Sequence, residues 1–220
     1  LGMLGQNLIY GVIGTGLTYY FQSVIFLPAL AISTITLLSK IAEFLCDPYV
    51  GMRIDRSQNT KGKCRTYLIF SPLPIFIFSL LCFLNRPYTA AETSTARLGI
   101  LLAAGLSFIG FGICFCFGDV ALWTLPNLMT KSRKDRNALL AQARIVAGIC
   151  GAGISLLLLP LSQAAGNHFS KQLNDPTLGL QMGTVLVCGS FLFLGTLLFQ
   201  PVGSCTQERM TAPPAEKRSL

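Results

Sequence analysis

The sequence predicts an all-α membrane protein, a six-transmembrane-helix bundle. Three observations carry that expectation. Hydrophobic residues make up 52% of the chain and charged residues 12%, against about 25% charged in an average soluble domain. Mean hydropathy is +0.59. Apolar runs recur at approximately 4–27, 30–52, 66–85, 97–127, 138–161 and 178–199, each reaching the roughly 20 residues that a helix needs to cross a bilayer. Six such helices in 220 residues leave too little other chain to bury them in a soluble core. The lipid bilayer is therefore their expected environment, with residues 1–203 forming the bundle and 204–220 a cytosolic tail or the start of a central loop.

The placement of the basic residues orients the bundle. Arg53, Arg56, Lys61, Lys63 and Arg65 follow the second run, and Lys131, Arg133, Lys134 and Arg136 follow the fourth. The alternate loops, near 86–97 and 162–177, hold only Arg86, Arg97 and Lys171. Positive charge collects on the cytoplasmic side of membrane proteins, so both chain ends are expected in the cytoplasm of a cell (plasma or inner) membrane. The net charge of +8 is accounted for by these loops, and no nucleic-acid partner is implied. The eight cysteines sit mostly in spans or on the cytoplasmic side and read as small apolar residues. No resident metal is expected, because Cys114 and Cys116 are too closely spaced for a ligand pair. His168 is expected in a solvated outer loop.

Helical periodicity then sorts the spans. At about 100° per residue, Ser33, Thr36, Lys40, Glu43, Asp47 and Gly51 of the second span share a sector of roughly 80°. The first span aligns Asn7, Gly11, Thr15, Thr18 and Gln22. The fourth aligns Gly112, Asp119 and Trp123, with Cys116 at the edge, and the fifth aligns Arg144, Gly148, Gly151, Ser155 and Ser162. Spans one, two, four and five should turn these stripes to a shared interior, with three and six outside against lipid. Pro72 and Pro74 in the third are tolerated where neighbours satisfy the freed backbone.

Packing explains small residues in such stripes, but not ionisable ones. Each mid-bilayer charge costs roughly 2.5–3.5 kcal/mol on insertion scales. Lys40, Glu43, Asp47, Asp119 and Arg144 comprise two cations and three anions, and a buried net charge either protonates or recruits a counter-ion. Glu43 and Asp47 lie one helical turn apart and can converge on one point. They are the expected cation-binding pair, for H+ or a metal cation, with Lys40 as counter-charge when the site is empty. No nucleophile elbow or metal-spaced His/Cys set is present, so no enzyme, catalytic residue or cofactor is expected beyond the coupling ion.

Two blocks then resemble a family. "DPYVGMRIDR" followed by "KGKCR", and "GDVALWTLPNLMTKSRKDRNALLAQAR", are similar to the second-helix and fourth-to-fifth-helix signatures of the glycoside–pentoside–hexuronide:cation symporters, melibiose-carrier-like members of the major facilitator superfamily. The resemblance implies the amino-terminal half of a twelve-helix fold, with a carboxy-terminal six-helix half as partner. It implies cation-coupled symport of a small organic solute, a sugar or glycoside, by alternating access. It matches Glu43 and Asp47 to the cation carboxylates, and Lys40 to a basic position one turn earlier. Asp119, Trp123 and Arg144 match substrate-contacting residues, and Gly51, Asp55 and Arg56 a cytoplasmic gate motif. The family's sugar-binding acid on the first helix falls at Thr18, and two further Na+-site positions are Cys46 and Cys116. Thiols suit a hard ion poorly, which favours H+ over Na+. The alternatives are a non-sugar solute (lipid or amino acid) or a non-transporting half-carrier acting as a membrane interaction partner or sensor.

Overall fold

A computed structural model describes residues 2–56, 64–85, 88, 93–129 and 132–199, and these residues form helices and connecting turns. Helix α1 (Gly2–Gly11) continues without a break through two π-helical stretches, Val12–Leu17 and Tyr20–Val24. Then come α2 (Ala29–Arg56), α3 (Arg65–Phe70), α4 (Pro72–Phe83), α5 (Ser94–Met129), α6 (Arg133–Leu173) and α7 (Pro176–Phe199). Five stretches are long and apolar enough to span a bilayer: Ala29–Arg56, Thr66–Phe83, Ser94–Pro126, Arg133–Leu173 and Pro176–Phe199. With the composite first helix they make the six-helix bundle, α3 and α4 together forming the third crossing.

The local causes are readable. Pro72 supplies no N–H and divides the third crossing at Ser71, yet Ser71 N still reaches Tyr67 O at 2.9 Å and Ile75 N reaches Ser71 O at 3.1 Å. The chain therefore bends without leaving the helical path. Helix α6 opens on Ser132, whose hydroxyl accepts from the Asp135 amide at 3.5 Å. It closes on Asn174 in the left-handed region at φ 53°, a conformation asparagine tolerates at a helix end. Helix α6 thus runs well past the 138–161 expected of the fifth span. Arg133, Lys134 and Arg136 belong to its first turn, and His168 is an exposed helical residue, not a loop residue. The polar segment after Leu161 contains Gln163, Ala164 and Ala165, good helix formers that extend the helix without extending the apolar run.

Packing is tightest where side chains are absent. A Cβ on Gly183 would fall 2.3 Å from the Gly166 nitrogen, and one on Gly179 would fall 2.4 Å from the backbone of Ser170. Helices α6 and α7 thus meet backbone to backbone, the close approach small residues allow in membranes. Helix α1 lies against both, and α2 pairs with α5. At one end of the bundle, Tyr20 donates its hydroxyl to the Asn85 carbonyl at 2.9 Å. Gln181 donates to the same carbonyl at 2.9 Å and to the Tyr20 hydroxyl at 3.2 Å, linking the first, third and sixth crossings. Helix α7 buries Gly183, Cys188 and Leu192 while exposing Met182, Leu186 and Phe193. It has one packed face and one outward face. The least covered helices are α2 and α6.

Candidate functional site

The site is built where α1, α2 and α5 face one another. A cavity of about 310 Å³ is lined by Gln6, Asn7 and Tyr10 of α1, Lys40, Glu43 and Asp47 of α2, and Gly112, Phe115, Cys116 and Asp119 of α5. The α2 residues reach it together because they repeat at three- and four-residue intervals and stand above one another on one face. Helix α5 can come close because position 112 lacks a side chain: a Cβ there would lie 2.8 Å from Glu43 Oε1 and 3.0 Å from Ser39 Oγ.

Polar contacts organise the cavity. Lys40 Nζ pairs with Glu43 Oε2 at 2.6 Å and lies over the Tyr10 ring, 5.6 Å from its centroid. The Tyr10 and Phe115 rings are 5.9 Å apart, giving the cavity an aromatic wall. Cys116 Sγ donates to Asp47 Oδ1 at 2.9 Å. Asp119 Oδ1 accepts from Gln6 Nε2 and, at 3.1 Å, from Trp123 Nε1. Gln6 is buried, and its Oε1 has no hydrogen-bond partner among the described residues.

The expected site residues divide into groups. Lys40, Glu43, Asp47 and Asp119 converge on the cavity, and Trp123 stands behind it, bonded to Asp119. Thr18 does not join them. It lies two turns beyond Tyr10, about 12 Å along the axis, is exposed, and donates to the Gly14 carbonyl at 2.8 Å. The chain between them is π-helical over Val12–Leu17, so the regular α-helical period does not hold across it. Arg144 does not join them either. It is exposed on α6 and is not among the residues lining the cavity. One ammonium therefore faces three carboxylates, a larger imbalance than the five-charge expectation.

The gate residues lie at the far end of α2. Gly51 is half-buried, with open space where a Cβ would project. Asp55 and Arg56 are exposed, while Lys61 and Lys63 lie outside the described residues, as does the 204–220 tail. Gln6, Asn7, Tyr10 and Phe115 are cavity residues that were not among the expected site positions. Asn7 was visible on the first-span stripe. Adjacent amides at Gln6 and Asn7, at the start of an apolar helix, were the available signal.

A carboxylate-rich cavity with an aromatic wall, inside a bundle of bilayer-length helices, is the setting in which sequence relatives become informative. The family model described as MFS/sugar transport protein matches residues 1–219. The chain belongs to that family. Among curated relatives, the uncharacterized symporter YnaJ of Bacillus subtilis is 27% identical over 99% of this chain and 44% of its own length. The isoprimeverose transporter of Lactiplantibacillus pentosus is 24% identical over 96% of this chain and 41% of its own. The raffinose carrier protein of Pediococcus pentosaceus is 28% identical over 72% and 26%, respectively. The chain thus spans less than half the length of the curated relatives it matches, the size of a six-helix amino-terminal half of this fold. It is an integral membrane protein of the MFS/sugar transport family.

Proposed function

We propose that this chain forms the cation- and solute-binding half of a secondary active symporter for a small glycoside, in a cell or bacterial inner membrane with both chain ends cytoplasmic. The observation that carries the reading is the grouping of Glu43, Asp47 and Asp119 around one cavity with Lys40 as the single lining cation. An excess of carboxylates gathered on one cavity between bilayer-length helices favours a bound cation or proton. Glu43 and Asp47 receive the coupling ion, and Lys40, already paired with Glu43, takes its place when the ion leaves. Asp119 and the amides of Gln6 and Asn7 offer acceptors and donors to solute hydroxyls. The ring pair Tyr10 and Phe115 offers an apolar face of the kind that covers sugar C–H groups. The cavity, about 310 Å³, lies at the lower end of the roughly 300–1,000 Å³ typical of ligand sites, a size suited to one or two sugar rings.

The proton is the preferred coupling ion. Cys116 and Cys46 occupy positions where a hard alkali ion would be better served by oxygen, whereas a proton needs only a carboxylate. Coupling requires that ion and solute each favour the other's bound state. Alternating access follows if this bundle rocks against a second one around the midplane site. The relatives named as a symporter, an isoprimeverose transporter and a raffinose carrier support the solute class. The test is uptake of labelled glycosides into cells expressing the encoding gene in full, with imposed pH or sodium gradients. Concentrative uptake driven by the pH gradient is expected, and is lost in Glu43→Gln and Asp47→Asn. Strict sodium dependence overturns the proton preference. Undiminished accumulation in both variants overturns the site.

A further inference from the structure

We propose that Tyr10 is a positioning residue for coupling: its ring holds the Lys40 ammonium in the cavity when an ion takes Glu43, and the ammonium so released becomes a donor to the solute. Apart from the ring contact itself, the inference rests on the ion and solute sites proposed above. Lys40 Nζ sits between two groups of different kinds. Glu43 Oε2, three residues along the same helix, lies 2.6 Å away. The Tyr10 ring, contributed by α1, has its centroid 5.6 Å away, inside the roughly 6 Å over which a ring face attracts an ammonium. All three residues line the cavity. The ring is braced from behind. Phe115 of α5 packs against it with centroids 5.9 Å apart, and Phe115 continues into Phe111 at 5.4 Å and Phe108 at 6.3 Å beyond that. Phe108 and Phe111 are buried, so Tyr10 leans on a row of rings anchored in the core.

The two holds on Lys40 respond differently to an ion. The pair with Glu43 lies within α2, whereas the ring contact crosses from α2 to α1. A cation on Glu43 cancels the attraction at Oε2, since it removes the negative charge that the ammonium answers. The uncharged ring keeps its hold. The other carboxylates of the cavity are engaged. Asp119 already accepts from Gln6 and Trp123 through Oδ1, and Asp47 shares the ion with Glu43 in the proposed site. The flexible lysine stem lets Nζ turn about the ring, and a donor spent on Glu43 is free for a solute oxygen. An ion bound first therefore improves the solute site, the sign that symport requires. Without the ring, the released ammonium swings out to water, since the lysine side chain is already 48% exposed. Ion and solute sites would then both survive while the link between them is lost.

The test uses the protein encoded by the full gene, purified in detergent. Glu43→Gln stands for the ion-loaded state, because it removes the carboxylate charge. Reductive methylation with isotope-labelled formaldehyde places methyl reporters on the lysine amines and keeps their charge. The Lys40 methyl resonance, assigned by its loss in Lys40→Met, should be displaced upfield by the Tyr10 ring. It should stay displaced in Glu43→Gln and in Tyr10→Phe, and return to the solvent position in Tyr10→Leu. A resonance that loses its displacement in Glu43→Gln overturns the proposal. Methyl α-galactoside and methyl β-xyloside are then titrated in mildly alkaline, sodium-free buffer. Glu43→Gln should bind the accepted glycoside about tenfold more tightly than the unmodified protein. Adding Lys40→Met or Tyr10→Leu to Glu43→Gln should cancel that gain, and adding Tyr10→Phe, which retains the ring, should preserve it. A gain that survives Lys40→Met overturns the donor role of the ammonium, and one that survives Tyr10→Leu overturns the role of the ring. A ring-held ammonium in a protein that binds neither glycoside supports the contact and counts against the glycoside reading.

Discussion

Gln6 and Asp119 join α1 to α5 across the cavity. The side-chain amide of Gln6 donates to Asp119 Oδ1, the oxygen that also accepts from Trp123 Nε1. Trp123 is the only tryptophan in the chain, so this three-residue junction carries its own fluorophore. Hydrogen bonds to charged groups contribute about 1.5–3 kcal/mol. Gln6→Leu should lower solute affinity roughly ten- to a hundredfold, since 1.4 kcal/mol is about a factor of ten. Titration of a glycoside against Trp123 emission measures it, and an unchanged midpoint would remove Gln6 from the binding surface.

Glycine positions should separate site effects from packing effects. At Gly112 the nearest atoms are the end of Glu43 and the Ser39 hydroxyl, which can swing aside. Gly112→Ala should leave thermal stability in detergent close to the parent and weaken ion binding. At Gly183 the obstruction is the Gly166 backbone, which cannot rotate away. Gly183→Ala should force α6 and α7 apart and cost about 1–3 kcal/mol or more, as overpacking does. A melting curve for each variant decides between these outcomes.

Lys40 is the counterweight of the cavity. Its ion pair with Glu43, with the lysine side chain 48% exposed, falls in the roughly 0–1 kcal/mol range of solvent-accessible pairs. Lys40→Met should raise affinity for the coupling ion by up to about fivefold. Ion titration by Trp123 emission tests the direction. Weaker ion binding would mean that the ammonium orders the site instead of competing for it.

Asp175 precedes α7 and accepts from the Thr177 hydroxyl at 2.7 Å and from the amides of Thr177 and Leu178 at 3.0 and 3.4 Å. These donors hold its carboxyl below the ordinary aspartate value and satisfy free N–H groups of the first helical turn. The sign follows from the depression. The stabilisation is fully present above the unfolded aspartate value and is lost as pH falls through the folded one. Amide exchange at Thr177 and Leu178 should therefore quicken in acid beyond its intrinsic pH dependence. Asp175→Asn should flatten that response.

Much of this arrangement is legible in the sequence, for identifiable reasons. Charges are costly in hydrocarbon, so Lys40, Glu43, Asp47 and Asp119 stand out, and a regular α-helical period places them on shared faces. Thr18 lies outside the cavity lining, and the π-helical stretch Val12–Leu17, which the sequence did not disclose, departs from the regular period on which its stripe was drawn. Arg144 also lies outside the cavity lining, because a stripe of small residues does not state which neighbour it meets. Helix α6 packs through Ile154, Leu158 and Ser162, leaving Gly148 and Gly151 facing open space. Gln6 escaped notice because an uncharged amide near a helix start resembles any boundary residue.

The backbone contact between α6 and α7 has a kinetic corollary. These neighbours in sequence are joined by the short Asn174–Asp175 turn, so the loop to be closed is small and the hairpin can assemble as it leaves the ribosome. The cavity between α1, α2 and α5, by contrast, needs helices from distant stretches of chain to find one another. Under a weakening mutation or rising temperature, the cavity should dissolve first and leave the α6–α7 hairpin standing as the last native remnant.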